Sequence, residues 1–242
     1  MKYSIGIVLS LFLVSCNTAK IKGKEYKVSS VTTEIGSIGF SSSSIGISDF
    51  TTHAFPALDD KLRVEVTIVP FNKKFNKIYQ QKAKFDQNQI NIQYVDTLDT
   101  KPELITITLL DIAGFVTEIN NNNNKEVLNF LKNTEKAKVV TSIVTTVATE
   151  NLSKIKSADT YYLVNNQNNK YLLALYKANK KIETIDLRTG VVLAYELSNC
   201  CWAIDSKGKW YLADLIDEHS ACKGKTKPKI KEKKTTKSLY RM

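Results

Sequence analysis

Histidine is nearly missing from this 242-residue chain: His53 and His219 are the only two. No Gly-X-Ser-X-Gly elbow, no His-Glu-X-X-His pair and no Gly-Lys-Ser/Thr phosphate loop occurs. The sequence therefore offers no nucleophile elbow, no zincin helix and no P-loop. Cys-X-X-Cys is absent too, which removes the spacing that thiol redox centres and zinc knuckles use. Past the N-terminus no apolar run approaches the roughly 20 residues of a membrane-spanning helix. No cofactor is expected.

The one sustained apolar stretch is Ile5 to Val14, interrupted by Gly6 and Ser10 and preceded by Lys2. A positive residue followed by a short apolar run is the architecture of a secretory signal, and the run is too short to span a bilayer. It closes on Leu13-Val14-Ser15-Cys16. These first sixteen residues resemble the lipobox segment of bacterial lipoproteins. The resemblance implies cleavage before Cys16, a diacylglycerol thioether on its sulfur and a further acyl chain on the new amino terminus. Each buried methylene contributes about 0.8 kcal/mol, so several chains anchor a protein where one would not. Asn17 stands where an Asp favours inner-membrane retention in such proteins. The resemblance thus implies the outer membrane, facing the periplasm or the cell surface.

The formal charge is +11, and removal of Lys2 with the signal leaves +10. Residues 223–242 hold eight lysines and Arg241 against Glu232, a net +8, so the basicity belongs to the tail. A self-repelling segment with Pro228 and almost no apolar surface reads as disordered. Lys223, Lys225, Lys227, Lys229, Lys231, Lys233 and Lys234 suit a polyanion. For an exported chain that means an anionic envelope polymer or protein partner, with no nucleic acid expected.

Residues 16–58 are rich in Ser, Thr, Gly and Lys and read as a tether. A coil of that length reaches about 35 Å, enough to hold a domain clear of the headgroups. Ile35, Ile38, Ile45, Ile47, Phe40 and Phe50 make an early hairpin the competing expectation.

From residue 59 to 222 one globular domain is expected. Leu62, Val64, Val66 and Ile68 alternate with polar residues up to Pro70, giving a strand. Phe71, Phe75, Ile78 and Tyr79 keep helical spacing. Ile90, Ile92 and Tyr94 alternate again, as do Ile105, Ile107 and Leu109. Asn120 to Asn124 read as a polar loop before a short helix over 126–132. The segment 139–147 reads as a strand, because its Val, Ile and Thr outweigh its helical spacing; Leu152 and Ile155 look helical. After Tyr161, short strands and tight polar turns follow one another: 161–164, 171–176, 182–187, 191–197, 202–204 and 210–215. The fold class is α+β, a predominantly antiparallel β-sheet with a C-terminal meander and a small helical insertion.

Three cysteines remain beyond Cys16. Neighbours on a strand point to opposite faces, so either Cys200 or Cys201, not both, can bridge to Cys222. The cluster Asp214, Asp217, Glu218 and His219 is the one candidate cation site. The aromatics Tyr161, Tyr162, Tyr171, Tyr176, Tyr195, Trp202, Trp210 and Tyr211 belong to the core or to a binding face. The expected function is a lipid-anchored envelope protein acting as a non-enzymatic binding or assembly module. The alternative is a metal-dependent or hydrolytic envelope enzyme using residues 214–219.

Overall fold

A computed structural model describes residues 18–230 apart from 22, 29–31, 45–46, 84–91, 98, 100 and 166–169. In chain order the elements are β1 (Thr18–Ile21), β2 (Lys24–Lys27), β3 (Ile38–Ser44), β4 (Ile47–Ala54), β5 (Leu62–Pro70), α1 (Lys73–Ala83), β6 (Glu103–Leu109), α2 (Ile112–Asn120) and α3 (Lys125–Asn133). There follow β7 (Lys138–Thr145), α4 (Thr149–Ser157), β8 (Thr160–Asn165), β9 (Tyr171–Lys177), β10 (Lys180–Asp186), β11 (Val192–Ile204) and β12 (Trp210–Asp217). The fold is α+β and sheet-dominated. Every strand pairing is antiparallel.

The strands form one sheet whose long path runs β1-β2-β11-β7-β6-β5-β8-β9-β10. β12 pairs with β11, and the β3–β4 hairpin pairs through β3 with β7. Local sequence explains the ends of this path. In β5, Leu62 and Val64 are buried while Arg63 and Glu65 are exposed, the period-2 pattern of a strand with one dry face. The β9–β10 turn places Ala178 and Asn179 at φ of 48° and 62°, the left-handed pair a two-residue hairpin requires.

The central strands β7 and β11 are buried on both faces along most of their length, with Thr and Ser interleaved among their Val, Ile and Leu side chains. Ile105, Ile107, Ile143 and Tyr195 enter a larger core with Phe115 and Ile119 of α2, Leu131 of α3 and Phe50 of β4. Leu104, Val144, Leu193 and Ala194 enter a smaller core with Phe71 and with Phe75, Ile78 and Tyr79 of α1. Several polar side chains buried among the central strands pair with one another, although the Thr106 hydroxyl of β6 has no partner among the described residues. Thr108 and Ser142 hydroxyls are 2.7 Å apart, and Ser142 also donates to the Ile107 carbonyl at 3.1 Å. Thr141 and Ser198 pair at 2.8 Å. Satisfied pairs of this kind penalise any slip of register.

Four expectations are corrected. Residues 16–58 are not a tether over their described part. Ala19, Ile21 and Tyr26 pack in the smaller core, and Ile35, Ile38 and Phe50 are at most 1 % exposed in the larger one. The Ser and Gly content reads as flexible, but the interspersed Ile35, Ile38 and Phe50 are buried; the competing hairpin is β3–β4. Gly36 at φ 78° is part of this packing, since a Cβ there would lie 2.2 Å from Tyr171 Cε2. Second, Ile92 to Tyr94 carry no strand, although both side chains lean on the smaller core; Ile90 lies outside the described residues. Third, the segments 191–197 and 202–204 are one strand, β11, carried past a bulge between Cys201 and Trp202. Fourth, residues 223–230 are not a free tail. Trp202 donates its backbone N–H to the Lys227 carbonyl and accepts from Lys227 N–H, both at 2.8 Å. Lys231, Lys233 and Lys234 lie outside the described residues, as does Cys16.

The asparagine run is also more than a loop. Asn120 ends α2, and Asn124 is 2 % exposed. Its side chain accepts from Ala57 N–H at 2.7 Å and donates to the carbonyls of Ala57 and Glu118 at 2.8 and 2.7 Å. The Glu118 carboxylate accepts from the backbone N–H groups of Asp59 and Asp60 at 3.0 and 3.1 Å. The helical insertion is thereby stitched to the segment that joins β4 to β5.

Candidate functional site: a lysine-rimmed cleft beside the disulfide

Cys201 of β11 lies next to the segment that follows β12, and the bridge that forms is Cys201–Cys222, with Cα atoms 5.7 Å apart. Cys200 points the other way, as alternation on a strand demands, and is a buried free thiol whose pKa burial pushes up to about 12. Residues 222–230 then fold back across the end of the β11–β12 hairpin. The Trp202–Lys227 bridge and an ion pair from Lys229 to Glu135 hold them there.

Between this strap and the α3–β7 connection opens a cleft of about 1350 Å³. Its apolar lining comes from Leu131, Ala137, Trp202, Trp210, Ile216 and Ile230. Its charged lining is Lys132, Lys136, Lys138, Lys209 and Lys229 against Glu135 alone. Lys229 is committed to Glu135, and Lys138 to Glu218. Lys132, Lys136 and Lys209 carry no ion pair among the described residues. Lys223, Lys225 and Lys227, all exposed, extend the same positive field along the strap.

The expected cation site does not assemble. Glu218 is turned inward between two ammonium groups, with Lys27 Nζ 2.6 Å from Oε2 and Lys138 on Oε1. Burial raises the Glu218 carboxyl, but the hydrogen bonds from Lys138 and Lys27 outweigh it, and the group is held below its ordinary pKa. Asp214 accepts the Leu215 N–H at 2.8 Å and is exposed, as are Asp217 and His219. Among the described residues, no group of three His, Cys, Asp or Glu side chains is placed to hold a metal ion. Sequence spacing brought these four together along the chain; the strand splays them.

Comparison with protein families, with curated proteins and with solved structures finds no match. What the cleft does has to be argued from its own chemistry.

The aromatics divide. Tyr171, Tyr195 and Trp202 are core residues. Tyr161 donates to the Ile155 carbonyl at 2.8 Å and props α4. Tyr162 and Tyr176 meet edge to face on β8 and β9 with Lys61 Nζ 4.4 and 4.5 Å from their ring centroids, a structural cation–π contact. Only Trp202 and Trp210 reach the cleft. The α3–β7 wall, Lys132 to Lys138, escaped sequence reading because a lysine-rich connection between a helix and a strand looks the same whether or not it borders a cleft.

Proposed function

We propose that this protein is a lipid-anchored envelope protein whose β-sheet domain is a binding module, and that its cleft takes an acidic polypeptide segment bearing apolar side chains. The lining carries this reading. Three unpaired lysines stand over a floor of tryptophan and aliphatic side chains, in a space larger than the roughly 300–1,000 Å³ of an ordinary small-molecule pocket. A bare polysaccharide phosphate would leave the apolar floor wet, and an uncharged peptide would leave the lysines without partners. The anchor rests on the lipobox resemblance at Leu13 to Cys16, and the Cys201–Cys222 bridge suits an oxidising compartment outside the cytoplasm.

The chain's two tryptophans both line the cleft, so intrinsic fluorescence reports its occupancy. Titration with a peptide alternating Glu and Leu is expected to shift that emission and to weaken steeply with salt. The triple change Lys132→Glu, Lys136→Glu and Lys209→Glu is expected to abolish the shift. Emission that ignores the peptide, or a triple variant that binds as the parent does, removes the cleft from the account. The anchor is tested apart from it, by metabolic labelling with an alkynyl fatty acid. Label on the parent and none on Cys16→Ser supports acylation; equal label on both rejects it.

A further inference from the structure

Cys16 stands two residues before β1, so no more than about 7 Å of extended chain separates its Cα from that of Thr18. That leaves no slack. If the anchor proposed above holds, whatever surrounds Thr18 lies among lipid headgroups.

The surroundings of Thr18 are well defined. β1 pairs with β2 from Thr18↔Lys27 to Ile21↔Lys24, and Ala19, Ile21 and Tyr26 pack with Phe75, Ile78 and Tyr79 of α1. Lys74 Nζ donates to the Thr18 carbonyl. Helix α1 therefore lies beside the point where the acylated residue joins the fold. Its sequence, Lys73-Lys-Phe-Asn-Lys-Ile-Tyr-Gln-Gln-Lys-Ala, has no acidic residue. Phe75, Ile78 and Tyr79 face inward, while Lys73, Lys74, Lys77, Gln80 and Gln81 are exposed. Lys20 and Lys24 are exposed on the adjoining hairpin, with Lys24 3.8 Å from Glu196. Among the described residues, the acids near this patch are Glu25, exposed on β2, and Asp96, which attracts Lys73 and Lys101.

We propose that the face formed by Lys73, Lys74 and Lys77 of α1 is a docking surface for an anionic lipid bilayer. It seats the domain flat on the membrane at the foot of its own anchor. The inference rests on the proposed lipidation for its geometry and on charge complementarity for its partner. A lysine near a surface carrying anionic lipid strengthens binding about fivefold, and the effect fades beyond a Debye length. An anchor two residues away supplies the proximity, and the lysines fix which face turns to the membrane.

The test uses residues 16–242, which contain every described element, with Cys16→Ser, so that acylation plays no part. Flotation is measured with vesicles of phosphatidylcholine alone and with three-tenths phosphatidylglycerol. The protein is expected to float with the anionic vesicles at low salt, to be released by 0.5 M salt, and to ignore the neutral ones. Changing Lys73 and Lys77 together to Gln is expected to lower partition about 25-fold, with the near-ultraviolet circular dichroism unchanged; Lys74 is kept because it touches Thr18. An undiminished partition overturns the proposal. So does an equal loss from Lys225→Gln, Lys231→Gln and Lys233→Gln, which assigns the binding to the C-terminal lysines. Fatty-acid labelling of Cys16 is scored separately on the full chain, so failure of the anchor and failure of the lysine face are told apart.

Discussion

Replacing Asn124 with Ala tests the claim that one asparagine in a run of five holds the helical insertion to the sheet. The change removes three hydrogen bonds, from Ala57 N–H and to the carbonyls of Ala57 and Glu118, at a side chain with almost no solvent contact. An intact hydrogen bond adds about 1 kcal/mol net, and a buried group left without its partner costs about 1–3 kcal/mol. With water entering to rescue part of the loss, the expected cost is about 3 kcal/mol. For a domain of this size each kcal/mol moves the melting temperature by roughly 2–4 °C, so Tm is expected to fall by about 9 °C. Thermal melts followed by circular dichroism, with urea titration as a check, read this directly. Asn122→Ala, at an exposed position in the same run, is the control and is expected to stay within about 0.5 kcal/mol. Asn124→Asp keeps the acceptor for Ala57 N–H but sets oxygen against two carbonyls, so it is expected to be no milder than Ala. A Tm for Asn124→Ala within 1 °C of the parent would refute the reasoning.

Three further outcomes are expected. Tyr171 is buried and donates to the Pro56 carbonyl at 2.6 Å; burial first, then Glu118 and Glu34, raises its pKa far above the ordinary value of 10. Because the folded pKa is the higher one, the contribution is intact below pH 10 and is lost as pH rises beyond it, so alkaline urea titrations should show Tyr171→Phe losing less stability than the parent above pH 10. Glu218, with its pKa depressed, contributes above the unfolded carboxyl value near 4.3 and loses that contribution as pH falls. Glu218→Gln should therefore be less stable than the parent at pH 7, by about 1 kcal/mol given the partial exposure, with the gap closing in melts below pH 4. Finally, Cys200 should resist Ellman's reagent in the folded protein and react on denaturation, while Cys222→Ala frees Cys201 and lowers stability by about 3 kcal/mol, the chain-entropy value for a loop of this length.

Much of the sheet was legible because period-2 patterning survives wherever one face of a strand is wet. Leu62 to Ile68 announces itself that way, whereas Ile105 to Leu109 alternates in composition only, its threonines being buried or half-buried too. Legibility fails where solvent ceases to write the pattern. Thr18 to Ala54 carry small polar residues on strands whose apolar partners come from distant parts of the chain, so composition suggested flexibility while packing imposed order. Helix α2 went unseen because Asp111, its N-cap, follows a strand without a break, and Gly114 accepts the close approach of that cap. The choice of Cys201 over Cys200 depended on which strand face each takes, and two adjacent cysteines carry no signal of that. The cleft depended on a strap, Lys223 to Ile230, whose composition is that of a solvated tail and whose anchorage is a disulfide plus two backbone hydrogen bonds.

Strand β11 has a bearing on how the chain is assembled in time. It meets β7 along one edge and both β2 and β12 along the other, and its contact with β2 is Tyr195 against Lys27. A chain delivered from its N-terminus exposes β1 and β2 long before β11, which among the described residues is the further neighbour of β2, arrives. β1 and β2 can pair with each other at once, but the other edge of β2 must wait until residue 195 has emerged. Pairings so far apart in sequence are slow to close, and the final third of the chain sets the pace. A stalled or truncated product lacking β11 would then present the β2 edge to chaperones and proteases, so the last strands to emerge act as a check on completeness for the first.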